Sequence, residues 1–168
     1  MANMIPISTV TVGSGGASSI DFVNIPQIYT DLVIKTSSKS NRGTGDYIVL
    51  RFNGDSGSNY KARYIQGDGT NASSTANDPY TYIHLVTTEV ATNVFISGDV
   101  TIPNYGGSNQ KSVSIDAVAE NNATTARDFL VAGLWTGTSP INSITILPLY
   151  GTGFTQYSSA TLYGIRKY

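Results

Sequence analysis

The sequence predicts an all-β fold, a two-sheet antiparallel β-sandwich of jelly-roll type, and three observations carry that expectation. Apolar residues recur with a period of two in short segments from one end of the chain to the other. Clusters of Gly, Asn, Asp and Pro separate those segments. Ser, Thr, Asn and Gly number 19, 20, 13 and 17, together 69 of the 168 residues, whereas only 12% are charged, about half the share usual in a soluble domain. A solvent face built from hydroxyls and amides suits an exposed sheet, while helices would place Glu, Lys, Gln, Ala and Leu outside.

Ile5, Ile7, Val10 and Val12 alternate with polar residues before the break Gly13-Ser14-Gly15-Gly16, and a second strand starts at Ile20-Asp21-Phe22 and stops at Ile25-Pro26. A third covers Asp31 to Ser38. Tyr47 to Phe52 places Ile48, Leu50 and Phe52 on one face and Tyr47, Val49 and Arg51 on the other. The stretch Asn53-Gly54-Asp55-Ser56-Gly57-Ser58-Asn59 is a turn before a strand from Tyr60 to Ile65. Residues Gly67 to Pro79 hold no large apolar side chain and are expected to form a long loop. Further strands are expected at Tyr80 to Val86, Val94 to Ile102, Ser112 to Ala119, Asp128 to Thr136, Ile141 to Leu149 and Ala160 to Arg166, ten or eleven in all. Ile115 to Arg127 is rich in alanine, but Asn121-Asn122 and Thr124-Thr125 interrupt it, so a hairpin turn over Glu120 to Thr125 is the better reading than a helix.

No linker or composition shift divides the chain, so residues 1–168 are read as one domain. So many strands must close on themselves or stack as two sheets to cover their apolar faces. Residues 1–12 are read as a possible docking segment, with Ile5, Ile7, Val10 and Val12 as its contact residues.

Composition also narrows the chemistry. With no cysteine and one histidine, the chain has no disulfide framework, cysteine nucleophile, Cys-rich zinc site or two-histidine metal motif. The arginines are scattered and the formal net charge is −1, which argues against a nucleic-acid partner. The longest apolar run, Phe129 to Trp135, spans 7 residues, against roughly 20 for a membrane helix. The first ten residues carry neither a basic nor an apolar leader region. A soluble protein without a leader, a membrane partner or a cofactor is therefore expected.

The best candidate contact surface is Tyr80, Tyr82 and His84, which alternation puts on one face of one strand. Tyr and His bring large contact area with polar tips, and the plainer use of such residues is cross-strand pairing on a half-buried face. No carboxylate and nucleophile accompany His84 in a catalytic pattern. The Asn53 to Asn59 turn has oxygen ligands around glycines but a single carboxylate, too few for calcium. Gly13-Ser14-Gly15-Gly16 lacks the lysine and helix of a phosphate loop. No catalytic, metal or cofactor residues are assigned. Trp135, inside its apolar run, is expected in the core.

Four stretches taken in order resemble a recurrent type of tailed-bacteriophage virion protein: Ile20 through Ile25-Pro26 to Asp31-Leu32 and Ile34; Leu50-Arg51-Phe52-Asn53-Gly54-Asp55 with Asn59-Tyr60; Trp135 with Pro140 to Ile144; and Leu162-Tyr163-Gly164-Ile165. The resemblance covers nearly the whole chain. It implies a small, non-enzymatic β-sandwich that serves as a virion structural protein, a capsid decoration or cement protein that binds the assembled shell and stabilises it. The partners it implies are the major capsid protein and other virion proteins, with a homotrimer as the unit, assembled in the host cytoplasm and placed on the capsid surface. The rival expectation is a tail or fibre module that binds a host receptor or surface glycan.

Overall fold

The period-two pattern becomes strand pairing almost everywhere. The computed structural model describes residues 3–88, 94–122 and 124–166, and its regular structure is twelve strands with no helix among the described residues. They are β1 (Asn3–Thr11), β2 (Ile20–Phe22), β3 (Asp31–Ser38), β4 (Asp46–Phe52), β5 (Tyr60–Gly67), β6 (Ala72–Tyr80), β7 (Ile83–Thr88), β8 (Ile96–Pro103), β9 (Lys111–Glu120), β10 (Ala126–Trp135), β11 (Ile144–Pro148) and β12 (Ser159–Arg166).

The strands form two antiparallel sheets, one of eight in the order β1-β12-β3-β8-β9-β10-β5-β6 and one of four in the order β2-β11-β4-β7. Eight of them pair first with last and inward: β1 with β12, β2 with β11, β3 with β8 and β4 with β7. That is one long double-stranded ribbon, and the contacts β12 to β3 and β11 to β4 wrap it into the two sheets of a jelly roll. The other four strands are two hairpins, β5-β6 and β9-β10, inserted into the ribbon and appended to one sheet beyond β8. The jelly-roll expectation from sequence is met, with this extension added to it.

Core residues come from the inward parity of each strand. Leu32, Ile34, Ile48, Leu50, Phe52, Ile83, Leu85, Val100, Ile102, Ile115, Ile144, Ile146 and Leu162 are all buried in one cluster. Each such side chain taken from water stabilises the fold by about 1.5–3 kcal/mol before entropy is counted. β9 shows the rule most plainly, since Val113, Ile115, Ala117 and Ala119 are buried while Ser112, Ser114, Asp116, Val118 and Glu120 are exposed. The inserted hairpins share this core through Tyr60, Ala62, Phe129, Val131 and Trp135. Their approach to β7 is close: a Cβ at Gly133 would lie 3.0 Å from Ile83, and one at Gly98 of β8 2.6 Å from Leu85.

Trp135 is in the core, and its indole Nε1 donates to Asp55 at 2.7 Å. Residues 53–59 form a tight turn. Asn53 and Gly54 take φ of 52° and 68°, the left-handed pair a two-residue reversal needs, and the Asp55 carboxylate accepts from the Gly57 amide at 2.9 Å and from Asn59. At the other end of the sandwich the buried Asp46 carboxylate accepts from Ser40 at 2.6 Å and from the amides of Tyr150 and Gly151 at 3.0 and 2.9 Å, tying two loops to β4.

Two sequence expectations are corrected. Residues 67–79 are not a long loop: β5 ends at Gly67, an Asp68-centred turn follows, and β6 returns alongside β5. The Asp68 carboxylate accepts the amides of Thr70 and Asn71 at 2.9 and 2.7 Å, with Gly69 at φ 84°. Strand pairing uses main-chain groups, so β6 needs no apolar side chain, and from Ala72 to Ala76 it is exposed on both faces. Secondly, Tyr80 to Val86 is not one strand. Tyr80 closes β6 in the large sheet and Ile83 opens β7 in the small one, with the crossing at Thr81-Tyr82. The hairpin turn over 120–125 is found as expected, closed by the amide of Asn121 to the Thr125 carbonyl at 3.1 Å.

Candidate functional site

The structure brings Tyr80, Tyr82 and His84 together, although not as alternate residues of a single strand. Tyr82 stacks on the imidazole with centroids 5.1 Å apart and planes 10° apart, while Tyr80 meets it edge-on at 5.7 Å. Two further tyrosines that the sequence reading did not single out complete the cluster: Tyr47 of β4, stacked at 4.8 Å, and Tyr64 of β5 at 6.0 Å. Tyr150 adds an edge contact to Tyr47 at 6.2 Å and is 61% exposed. β5 of the large sheet packs against β7, the edge strand of the small one, so rings from both sheets meet there.

The cluster is made of neutral rings, with Arg127 acting on Tyr47 and Arg51 on Tyr82 from its margin. His84 Nε2 is buried without a hydrogen-bond partner, and burial pushes the imidazole pKa down to about 4, because a cation there would lose its water without gaining an anion. Burial likewise raises the Tyr47 and Tyr82 hydroxyls above their usual range. Desolvation is what sets the His84 shift, and among the described residues no charged group contributes to it.

Ile5, Ile7 and Val10 are half-buried and Val12 is buried. They lie on or just past β1, which pairs with β12 along its length, and Ile7, Val10 and Val12 pack on the chain's own core. The alternation read as a docking signal is thus spent, in large part, inside the fold. Met1 and Ala2 lie outside the described residues.

A second surface lies on the outer face of the large sheet. Directly opposed residues of paired strands share a face, so register traces a row across it: Ser74, Ile65, Leu130 and Asp116 over the inserted hairpins, then Asp99, Lys35, Thr161 and Thr9 over the jelly roll. Over the jelly roll this row is polar and carries the Lys35–Asp99 ion pair, while the rows beside it bring Val33, Tyr163, Ile165 and Met4 to the same face, Met4 44% exposed. On the hairpin half, Ile65, Leu130 and Val118 are exposed to 58, 55 and 42%. Ile65, Leu130, Ala132 and Ala76, with Arg63 and Ser114 beside them, line an open trough of about 680 Å³. The sequence held one sign of it. The run Phe129 to Trp135 is apolar at both parities, so a strand there buries one set, Phe129, Val131 and Trp135, and must present Leu130 and Ala132 on the other face.

The carboxylates of these regions are engaged locally. Burial opposes ionisation of Asp55, but the hydrogen bonds from Trp135, Gly57 and Asn59 outweigh it and hold its carboxyl below the usual range. A hydrogen bond from Lys61 does the same for Asp78, whose oxygens lie 3.0 Å from Lys61 and 3.6 Å from Arg63. Among the described residues no group of three or more His, Asp or Glu side chains is placed to hold a metal ion, and no helix is long and apolar enough to cross a membrane. No protein-family model matches the chain, and no curated protein matches it with significance.

Proposed function

We propose that this chain is a non-enzymatic structural protein of a tailed-phage virion, a decoration or cement protein that binds the assembled capsid through the major capsid protein and stabilises it. The observation that carries the reading is the extension. A complete eight-stranded jelly roll bears four further strands that the roll does not need for closure, and their outer face exposes Ile65 and Leu130, directly opposed and each more than half exposed, with Val118 on the same face. Contiguous exposed apolar surface on a soluble fold marks a contact site. The resemblance of the four sequence stretches to phage virion proteins names the class of partner. A protein that binds the assembled lattice and not free subunits stabilises the lattice by mass action. A surface rich in hydroxyls and amides suits display in many copies.

The test is immunogold electron microscopy of the parent phage particles with an antibody to this chain. Label over the head is expected; label confined to the tail overturns the proposal. The second reading, a tail module binding a host glycan, is favoured by the exposed Tyr150 next to Tyr47, with the Arg42 guanidinium 4.9 Å from the Tyr150 ring, since exposed rings serve as stacking platforms for sugars. It predicts a saturable change in tyrosine fluorescence on adding host surface polysaccharide, which the decoration reading does not.

A further inference from the structure

The two edges of the eight-stranded sheet are built differently. β1 carries Pro6, which offers no amide, and a register break between Pro6 and Ser8. Both devices blunt an edge against pairing with another chain; they fall in the middle of β1, whereas β6 carries its own proline, Pro79, and its own register break, opposite Lys61, only at its end. On β6 the register with β5 is unbroken from Ala72 to Asn77, and the segment Ala72-Ser73-Ser74-Thr75-Ala76-Asn77 contains no charge, no proline and no bulky side chain. Alternate residues of β6 therefore turn N–H and C=O groups outward along an edge that is uncharged from Ala72 to Asn77. Such an edge is a template for one more strand.

We propose that β6 is a self-association edge, at which a second copy of this chain pairs β6 to β6, antiparallel about a two-fold axis at Thr75, so that the two large sheets run on as one. A two-fold contact must be complementary to itself, and this strand meets that condition. With the axis at Thr75, Ser74 faces Ala76 of the second copy, Ser73 faces Asn77 and Ala72 faces Asp78. Small neutral residues thus oppose each other, and the one charge in the stretch, Asp78, is already neutralised by Lys61 and Arg63 of its own copy. The parity is consistent too, since each opposed pair lies on one face. A net charge of −1 opposes the approach of two copies very little. The trough borders this edge through Ser74, Thr75 and Ala76, so pairing brings the two troughs side by side on one surface. The inference is independent of the capsid reading and replaces the trimer with a two-fold pair as the unit.

The experiment is the mass of the isolated chain by sedimentation equilibrium over a concentration series, with two charge variants, and a cross-linking check with two cysteine variants. The wild type is expected to sediment at twice the chain mass. Ser74→Lys with Ala76→Lys, both at exposed positions, sets lysines against lysines across the axis and is expected to give the chain mass with an unchanged far-ultraviolet circular dichroism spectrum. Mixing that protein with the Ser74→Glu, Ala76→Glu counterpart should restore the double mass. As a check that does not depend on added charge, Thr75→Cys in this cysteine-free chain should form a disulfide-linked pair on mild oxidation, because directly opposed Cα atoms lie about 4.5–5.5 Å apart, within disulfide reach. Ser8→Cys on β1 should not. A wild type that stays at the chain mass, a trimer, or a double mass that the lysine pair leaves intact with no cross-link at 75 each overturns the proposal. Failure here leaves the head-or-tail result of particle labelling unaffected.

Discussion

The jelly roll and the inserted hairpins solve the same problem, a sheet surface in water, in opposite ways. Over the roll, the outward row Asp99, Lys35, Thr161 and Thr9 is polar and the inward row is core. Over the hairpins, Leu130 and Ile65 face outward although they sit on strands whose inner residues, Phe129, Val131 and Ala62, are also buried. At the far edge β6 is exposed on both faces from Ala72 to Ala76. The roll holds the fold together, and the hairpins present a surface.

The same substitution should therefore have very different effects in the two regions. Leu50→Ala, in β4 at the centre of the core, is expected to cost about 3–4 kcal/mol in urea unfolding, whereas Leu130→Ala on the exposed hairpin face should change stability by no more than about 0.5 kcal/mol. Comparable losses at both sites would break the division. Next in size is Asp46→Ala, which leaves the amides of Tyr150 and Gly151 and the Ser40 hydroxyl without their acceptor. A loss of about 2–3 kcal/mol is expected from the unsatisfied donors, read as a lower urea midpoint with the slope unchanged.

The seam between roll and hairpins adds a pH dependence. The folded-state pKa of His84 is lowered to about 4 from an unfolded value near 6.5. Between those values the unfolded chain binds a proton that the folded chain does not, so stability is full above pH 6.5 and falls as pH drops towards 4. With partial exposure discounted, the loss is on the order of 2 kcal/mol. Urea midpoints for the wild type and His84→Phe, which keeps a ring in the stack, should diverge from pH 7 to pH 4.5. Parallel curves would show that the imidazole is solvated. Asp55, Asp68 and Asp78, with carboxyls held below the usual range, lose their contribution only as pH falls further, which separates the two windows. The smallest expected effect is Ile65→Ser, neutral for stability to within about 0.5 kcal/mol, with lower binding of an apolar dye to the trough.

The same contrast explains what could be read from sequence. Where a strand has one wet and one dry face, as in β4 or β9, alternation locates it and gives its buried parity. Asn53-Gly54 marks its turn because only left-handed backbone closes it. β6 escaped because main-chain pairing leaves no trace in a segment of Ser, Thr, Ala and Asn whose faces are both wet. Tyr80, Tyr82 and His84 were legible as a group, but their apparent two-residue periodicity came from a chain crossing between sheets at Thr81-Tyr82 and not from one strand. Tyr47 joins them from β4, the strand paired with β7, and Tyr64 from β5 of the other sheet, and local pattern carries neither long-range contact. Of Ile5, Ile7, Val10 and Val12, read from their alternation as a docking segment, three pack on the chain's own core.

Residue-resolved amide hydrogen exchange on the wild type and on the Ser74→Lys, Ala76→Lys protein tests the division most directly. The account predicts slow exchange in β3, β4, β11 and β12 of both proteins, and slow exchange in 72–77 of the wild type that becomes fast at alternate residues once the lysines are present. Fast exchange at those alternate residues in both proteins, or a loss of protection that spreads to β3, β4, β11 and β12, would contradict a stable roll that carries a separate contact edge.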